Sequence, residues 1–432
     1  MCVSYFAPLT VFIIQQTVHI FMQNFKNDQA FLILWYLFLT MKLNKQLDQI
    51  RQSSTVAMAD RVLALKASGR KIIPLHVGDP DFETPRAIVD AAMDALTRGD
   101  THYASSRGDR DLKLVAAEKH LREVGISYDP ESEIQVTHGG IHAYYLALQS
   151  ILNPGDEMLI PDPSWATHSN MVTLLRGVVK RVPAPAENGF IPPISSWEAA
   201  LTPKTRALIV NYPSNPTGVY PSKKYLQKLQ DFAIQNDLWV VSDEVYQNLY
   251  YGEKPTSLGA FPEAKERTIL LNSFSKSYAM TGWRVGYLLA PKGVIARAIK
   301  ASQNSITCVA PFIQKAAAFA LRDAGVQKEA DAMRAAYARR RALVLRVADE
   351  YPKSHLQLTP PQGAFYFFLD FRFLGRSSLE ICEEILDTTG VALIPGSAFG
   401  EEGEGFARMT VAASDADVEE GIRAIFEWVG ER

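Results

Sequence analysis

The sequence predicts an α/β protein with two domains: a large one with a doubly wound, mostly parallel sheet, and a smaller α+β one. Between residues 134 and 272, short apolar runs alternate with helical patterns, which is the spacing of parallel strands joined by crossover helices. Long helical patterns from Pro311 to about Asp349 then lead to a second region of mixed strand and helix patterns. At 432 residues, the chain is long enough for both domains.

Three helical patterns and a loop precede the predicted sheet. The stretch 42–67 has a polar helical pattern, and Thr84 and Pro85 are predicted to begin the next helix as its N-cap and first turn. Gly99 ends that helix, and an irregular loop over residues 101–108 leads to a further helix. The predicted strands of the sheet are the apolar runs Ile134–Thr137, Met158–Ile160, Val178–Val182, Leu208–Asn211, Trp239–Ser242 and Ile269–Asn272.

Helices fill the intervals between these strands, and alternating patterns return near the C-terminus. Gly139 and Gly140 are predicted to open a helix that runs to Leu152, and another helix covers Ser222–Gln235. In the C-terminal region, the predicted strands are Ala364–Phe371 and Val391–Ile394, and the predicted helices are Ser378–Thr388 and Asp415–Trp428.

These patterns divide the chain into four segments. We predict an apolar extension over residues 1–41, the first part of the small domain over 42–90, the large domain over 91–320 and the rest of the small domain over 321–432. The extension matches neither a signal peptide nor an uninterrupted span of the ~20 apolar residues that cross a bilayer. We interpret it as an appendage and expect the functional protein to begin near Met41. Contact with a membrane is expected only if the mature protein keeps the extension.

Composition favours a globular enzyme from a reducing compartment. Apolar residues make up 47% of the chain and charged residues 21%, and the net charge of −2 provides no basic surface for nucleic acid. The three cysteines (Cys2, Cys308 and Cys382) are widely spaced, which argues against a disulfide framework and favours the cytoplasm. His138 and His142 are four residues apart, but the glycines between them indicate a turn, so no metal site is predicted.

The stretch from Ser273 to Gly286 is the strongest candidate for chemistry. Lys276 lies in a polar turn just beyond an apolar strand pattern, and taken alone it fits a solvated surface lysine. Ser273 and Lys276 have the spacing of serine acyl-enzymes, but the sequence lacks the Ser-Asp-Asn and Lys-Thr-Gly triplets of that class. The alternative chemistry is a Schiff base between Lys276 and an aldehyde cofactor, whose phosphate Ser273 and Arg284 would hold.

Further candidate groups lie beyond predicted strand ends, where open α/β sheets bind ligands. Gly140 begins a helix whose free N–H groups suit an anion, although a plain tight turn fits as well. Asn215 lies in a turn fixed by prolines, and Asp243 ends a strand; a turn-forming asparagine and a helix cap are the structural alternatives. Arg408 follows Phe406-Ala, and its structural alternative is a surface ion pair.

Together, these motifs resemble the class I/II aminotransferases of the aspartate aminotransferase type, which are fold-type I enzymes dependent on pyridoxal 5′-phosphate. The resemblance runs in register from about Ser54 to the C-terminus. It implies transfer of an amino group between an L-amino acid and a 2-oxo acid, with 2-oxoglutarate as the expected acceptor. The motifs that carry it are Gly78-Asp-Pro-Asp-Phe, Asn215-Pro-Thr-Gly, Ser242-Asp-Glu-Val-Tyr, and Ser273-Phe-Ser-Lys276 with Met280-Thr-Gly-Trp-Arg284.

The resemblance implies catalytic roles for three residues, Lys276, Asp243 and Tyr246. Lys276 would form the internal aldimine with the cofactor and then shuttle a proton as the base. Asp243 would pair with the pyridine nitrogen and keep it protonated, so that the ring takes up electrons. Tyr246 and Asn215 would hydrogen-bond the phenolic oxygen of the ring.

The resemblance also implies a phosphate site and a homodimer. Ser273, Arg284 and the backbone amides near Gly140 and Ile141 would bind the cofactor phosphate. Tyr103 would reach the phosphate in the neighbouring subunit, so the two subunits would share their active sites.

On the substrate side, the resemblance implies a carboxylate clamp. Arg408 would bind the α-carboxylate of the amino acid with two hydrogen bonds. Trp165 would stack on the cofactor ring, with core packing as its structural alternative, and Gly78 and Asn215 would lie close to the substrate.

The side chain of the amino donor is left open by the sequence. Bacterial relatives of the aspartate type read a second carboxylate with a Ser-Thr pair, present here as Ser54 and Thr55, and with a lysine at the position of Ile141. Because Ile141 cannot attract a carboxylate, aspartate specificity is not predicted. Ile141 beside Tyr144 and Tyr145 favours an apolar or aromatic side chain, unless the tyrosines only pack their helix.

Two other functions use the same scaffold. Lyases that act at Cβ or Cγ share Lys276, Asp243 and Arg408, and only their products distinguish them from aminotransferases. Transcriptional regulators on this fold carry a basic winged-helix segment in front, whereas residues 1–50 here are apolar and carry few basic groups.

Overall fold

Strands that alternate with helices form a seven-stranded sheet in the computed structural model, which describes residues 43–50 and 54–432. The predicted extension over residues 1–41 lies outside the described residues. The strands of this sheet are β1 (Ile134–Thr137), β2 (Glu157–Asp162), β3 (Val178–Pro183), β4 (Thr205–Asn211), β5 (Trp239–Asp243), β6 (Thr268–Ser273) and β7 (Gly286–Leu289). All six strands predicted for the large domain are therefore present, with ends that shift by at most a few residues.

The seven strands lie in the order β1-β7-β6-β5-β4-β2-β3. The pairs among β2, β3, β4, β5 and β6 are parallel, whereas β7 is antiparallel to both of its neighbours. The sequence analysis missed β7 because its four residues follow the Lys276 turn so closely that they have no separate pattern. The prediction of a mostly parallel sheet is confirmed.

Helices cover both faces of this sheet, which is why its central strands are apolar on both sides. Along β4, Leu208 and Val210 face one core while Ala207 and Ile209 face another, as the period of two in a strand requires. In the described residues, the α-helices are α1 (Ser54–Ala67), α2 (Arg86–Thr97), α3 (Arg110–Val124), α4 (Gly139–Ile151), α5 (Ala166–Leu174), α6 (Ile194–Ala200), α7 (Lys223–Gln235), α8 (Lys292–Ser305), α9 (Pro311–Arg322), α10 (Ala324–Asp349), α11 (Ser378–Thr389) and α12 (Asp415–Gly430).

A second, four-stranded sheet forms near the C-terminus. Its order is β10-β11-β9-β8, and all of its pairs are antiparallel. Only β9 coincides with a predicted strand. The predicted strand Val391–Ile394 is largely wrong, because Val391 makes only an isolated bridge to Ile73. The strands are β8 (Gln357–Thr359), β9 (Tyr366–Asp370), β10 (Ile394–Pro395) and β11 (Phe406–Thr410).

One predicted helix cap is also wrong. Helix α2 begins after Pro85, without a side-chain cap. The Thr84 hydroxyl instead donates to the carbonyl of Ala279, in the turn that follows Lys276. This hydrogen bond therefore links the start of α2 to the turn that contains Lys276.

Residues from Ile50 to Arg432 form one compact unit. Before it, the described residues hold a short 3-10 helix, Leu47–Gln49. The domain boundaries proposed at residues 90 and 320 stay a prediction. In the part of the chain that the structure describes, no helix combines the length and the apolar character that a bilayer span needs.

Candidate active site

A cavity of about 480 Å³ opens where the strands of the large sheet end. The register places Asn211, Asp243 and Ser273, the last residues of β4, β5 and β6, along one edge. The antiparallel strand β7 begins at that edge, at Gly286, and so brings Arg284 to it. The site residues predicted from sequence that line this cavity are Gly78, Gly140, Ile141, Trp165, Asn215, Asp243, Tyr246, Ser273, Lys276, Arg284 and Arg408.

Lys276 lies inside this cavity rather than on the surface. Its Nζ donates to the carbonyl of Gly78 at 2.6 Å. Burial lowers the pKa of Lys276 to about 8, and the positive charges of Arg408 and Arg284 act in the same direction, while Asp79 opposes them. About a tenth of this amine is therefore neutral, and nucleophilic, at pH 7, far more than for a lysine of ordinary pKa.

Asp243 is the buried acid of the site. Its Oδ2 is 3.1 Å from Nε2 of His168, and its Oδ1 accepts from the backbone N–H of Val245 at 3.2 Å. His168 also meets the ring of Trp165 edge to face, with ring centroids 5.4 Å apart. His168 was not predicted from the sequence, although it lies three residues after Trp165, in the first turn of the helix that Trp165 precedes, α5.

An anion-binding corner forms where α4 begins. The Nη1 of Arg284 donates to the carbonyl of Thr281 at 2.8 Å, and a Cβ at Gly139 would lie only 2.9 Å from Nη2. The glycine therefore lets the guanidinium approach the N-terminus of α4, where helix N–H groups are free. Arg284 has a φ of 54°, a strained conformation for an arginine, and such strain is typical of functional turns.

Serine hydroxyls complete this corner. The Ser273 hydroxyl donates to the Ser275 hydroxyl at 2.9 Å, and both residues line the cavity. Ser275 was not singled out from the sequence.

Arg408 is buried rather than paired at the surface, since only 3% of it is exposed. Its Nη1 donates to Oδ1 of Asn215 at 3.0 Å, and its Nη2 donates to the carbonyl of His76 at 2.8 Å. Its Nε is buried without a hydrogen-bond partner. An unpaired donor on a buried cation is costly, so this arrangement suits an anionic ligand that completes the pairing.

Tyr246 makes a contact that the sequence did not predict. Its hydroxyl is 2.9 Å from the hydroxyl of Tyr366, a residue of β9 that also lines the cavity. Burial raises the pKa of Tyr246 well above its ordinary value, so the phenol stays protonated.

Three predicted residues lie elsewhere. Tyr103 is 90% exposed and does not line the cavity. Tyr144 is buried and donates to the carbonyl of His168, and Tyr145 stacks on His142, so these two tyrosines pack their helix. The idea that they select the substrate is wrong, and Ile141 lines the cavity together with Thr167 instead. The side chains of Ser54 and Thr55 lie outside the described residues.

The histidine pair at the start of α4 is closer than the sequence suggested. The His138 and His142 rings meet edge to face at 5.9 Å, and Nδ1 of His142 accepts from the His138 backbone N–H. Over residues 43–50 and 54–432, no group of three or more His, Cys, Asp or Glu side chains is arranged to hold a metal ion.

Comparison with known proteins gives one consistent family. Residues 70–425 match the family described as aminotransferase class I and II. The chain is 38% identical to aromatic-amino-acid aminotransferase 2 of Thermococcus litoralis, over 88% of this chain and 97% of that protein. It is 39% identical to an aspartate aminotransferase of Pyrococcus abyssi, with the same coverage. The structure of Thermus thermophilus aspartate aminotransferase with maleate superposes with a TM-score of 0.85 at 35% identity, over 90% of this chain and all of that one.

Proposed function

This chain belongs to the class I and II aminotransferases, and we propose that it works with pyridoxal 5′-phosphate, bound through Lys276, on amino acids with apolar or aromatic side chains. As an aminotransferase of fold type I, it moves an amino group between an amino acid and a 2-oxo acid. The observation that carries the proposal is the buried amine of Lys276, which shares one cavity with Asp243, Arg284 and Arg408.

The residues of this cavity fit the cofactor. An aldehyde needs a neutral amine, a phosphate needs cationic and N–H donors, and a pyridinium needs a buried carboxylate; Lys276, Arg284 and Asp243 supply these three features. A volume of about 480 Å³ is within the ordinary range for a site that holds a cofactor and a small substrate. When bound, pyridoxal 5′-phosphate would supply an electron sink for the negative charge that develops at the substrate Cα.

Three residues of the protein would position the cofactor ring and polarise it. Asp243 would keep the ring nitrogen protonated, and His168, whose Nε2 is 3.1 Å from Oδ2 of Asp243, holds that carboxylate in place. Tyr246 donates from a hydroxyl that burial keeps protonated. Because Oδ1 of Asn215 accepts from Arg408, the amide N–H groups of Asn215 are the donors that it can offer to the ring.

The phosphate would bind in the corner made by Arg284, Ser273, Ser275 and the N-terminal amides of α4, at Gly140 and Ile141. Such an arrangement combines a bidentate cation with neutral donors and the positive end of the helix dipole. We propose these residues as the anchor that holds the ring in register with Lys276 and Asp243.

Substrate binding and proton transfer fall to two further groups. Arg408 receives the α-carboxylate, which satisfies its unpaired Nε. The amine of Lys276 would take the proton from the substrate Cα and deliver it to C4′ of the cofactor, and the second half of the reaction would reverse this transfer; a pKa lowered by burial to about 8 suits a group that both accepts and donates a proton.

The side-chain preference rests on Ile141. Among the described residues that line the cavity, the cations are Lys276, Arg284 and Arg408, and the roles above occupy all three. A second carboxylate on the donor would therefore lose its hydration without gaining a partner, whereas Ile141 offers an apolar contact. For the acceptor we keep 2-oxoglutarate, which the resemblance implies. Its second carboxylate would meet the same lack of a free cation, so pyruvate, which has no second carboxylate, is the matched comparison.

We also propose that the protein is a cytoplasmic homodimer whose two subunits share their active sites. Tyr103 is a large aromatic residue that is 90% exposed, which fits a side chain that completes the phosphate site of a second copy. Cys308 and Cys382 are free, in keeping with a reducing compartment.

The test is to purify the protein with pyridoxal 5′-phosphate, reduce it with borohydride and map the modified peptide. We expect the label on Lys276, and the Lys276→Ala variant should give none. Incubation with phenylalanine, leucine or aspartate and either acceptor should yield the matching 2-oxo acid and the aminated acceptor. Release of ammonia or a thiol without amination of the acceptor would instead indicate a lyase. A saturated protein that carries no label on Lys276 would overturn the proposal.

A further inference from the structure

Tyr366 makes two different contacts with one side chain. Its hydroxyl is 2.9 Å from the hydroxyl of Tyr246, and the guanidinium of Arg408 lies over its ring, 4.4 Å from the centroid. Tyr366 is buried, at 1% exposure, and lies on β9 of the four-stranded sheet, whereas Tyr246 follows β5 of the large sheet. One residue thus touches both the group proposed to face the cofactor ring and the group proposed to face the substrate carboxylate.

We propose that Tyr366 is a positioning residue that couples these two groups: its hydroxyl orients the Tyr246 hydroxyl, and its ring supports the Arg408 guanidinium. The inference rests on the proposed function, because it needs Tyr246 at the cofactor and Arg408 at the substrate. It adds a residue whose two contacts can be removed one at a time.

Either hydroxyl could donate in this contact, and the proposed role of Tyr246 sets the direction. A phenol has one proton, so a Tyr246 that donates to the phenolic oxygen of the cofactor must accept at its own oxygen. The Tyr366 hydroxyl is the donor within reach. A hydroxyl that accepts a hydrogen bond becomes a stronger donor, so a hydrogen bond from Tyr366 strengthens the one that Tyr246 donates.

The ring contact acts on Arg408. Two of its nitrogens are held by Asn215 and His76, and the face of the guanidinium rests on Tyr366, with the Phe399 ring 5.2 Å away. This stacking holds the plane in which the guanidinium presents its donors to a carboxylate. The space is tight, since a Cβ at Gly78 would lie 2.7 Å from the Tyr366 hydroxyl oxygen.

The first experiment isolates the hydroxyl. Tyr366→Phe keeps the ring, so the visible-absorption pKa of the cofactor-loaded enzyme should rise by about 0.1–0.3 pH unit, which is what a 10–30% weaker hydrogen bond predicts. Tyr246→Phe removes the donor itself and should raise that pKa by about one pH unit. In the Tyr246→Phe background, Tyr366→Phe should add no further shift, because the hydroxyl has nothing left to orient.

The second experiment isolates the ring. Tyr366→Met keeps most of the volume but removes the aromatic face, so the Kd of hydrocinnamate, a non-reactive carboxylate, should rise about 3- to 30-fold by calorimetry. Tyr366→Phe should leave that Kd within about twofold of wild type. Tyr337→Phe is the matched control: Tyr337 is fully buried against Phe365, its hydroxyl has no partner, and it does not line the cavity. It should change neither quantity.

Each outcome supports or overturns the inference. No absorption shift with Tyr366→Phe, or an equal shift in the two Tyr246 backgrounds, would show that the hydroxyl has only a structural role. Wild-type hydrocinnamate affinity in a folded Tyr366→Met protein would overturn the ring contact. If Tyr366→Met does not fold, Tyr366→Leu replaces it in the affinity measurement, with the same expected loss, and the cycle with Tyr246 still decides the hydroxyl contact. Failure of the proposed function is distinguishable, because wild-type protein would then carry no borohydride label on Lys276.

Discussion

Replacement of Asp243 by asparagine is the sharpest test of the chemistry assigned to the cavity. Asp243 is buried, and its carboxylate is shared between His168 and the N–H of Val245. The amide keeps the shape but leaves the protonated ring nitrogen without its counter-charge. Breaking a buried ion pair costs roughly 3–5 kcal/mol. At about 1.4 kcal/mol per tenfold in rate, Asp243→Asn should slow turnover by roughly two to four orders of magnitude.

The assay is the half-reaction with an amino donor, followed by absorbance in protein shown beforehand to be saturated with cofactor. Glu244→Gln is the matched control, because it makes the same change one residue later. Glu244 is also buried, but the hydroxyls of Ser242 and Ser257 donate to it, and it does not line the cavity. This control should turn over within a few-fold of wild type.

A rate near wild type for cofactor-loaded Asp243→Asn would refute the reasoning, because the ring nitrogen would then need no carboxylate. A loss equal to that of Glu244→Gln would also refute it, since burial of a charge and not contact with the ring would explain the effect. Melting temperatures of both variants separate these outcomes from simple unfolding.

Further predictions concern pH, the clamp and the substrate. Burial raises the pKa of Glu244 to about 7, so its contribution to stability is complete below its ordinary pKa of 4.5 and is lost as the pH rises through 7. Between those pH values, the free energy of unfolding of wild type, measured with denaturant, should fall by on the order of 3 kcal/mol relative to Glu244→Gln. The rate at which apoenzyme binds pyridoxal 5′-phosphate should rise with pH through about 8, the pKa of Lys276, and a midpoint near 10.5 would contradict a buried amine. Arg408→Lys should raise the KM of the donor about 10- to 100-fold, with a smaller change in kcat, because one ammonium replaces a bidentate contact. Ile141→Lys should improve kcat/KM for aspartate relative to leucine by about tenfold or more, and an unchanged ratio would show that residue 141 does not contact the side chain.

Much of the fold and nearly all of the site could be predicted from the sequence, because both depend on local signals. A strand of the large sheet is a short apolar run, and the turns that follow such runs are rich in polar residues, glycine and proline. Asn215, Asp243 and Lys276 each follow such a run, so their common edge follows from parallel pairing alone. The antiparallel strand β7 was missed because four apolar residues next to a turn do not encode a direction.

The sequence was sufficient to single out the side chains that we propose for the chemistry, since Lys276, Asp243 and Arg284 lie in contiguous motifs. The residues that hydrogen-bond to these side chains could be seen only in the tertiary structure. His168 lies 75 residues from Asp243 in the chain, and Tyr366 lies 120 residues from Tyr246, yet each pair is within hydrogen-bond distance. In the folded chain, the side chain of Tyr144 is buried in the core, whereas Ile141 lines the cavity. The physical reason is that a motif fixes a residue's chemistry through its neighbours in the chain, whereas burial and partners are set by contacts between distant segments that no local pattern records.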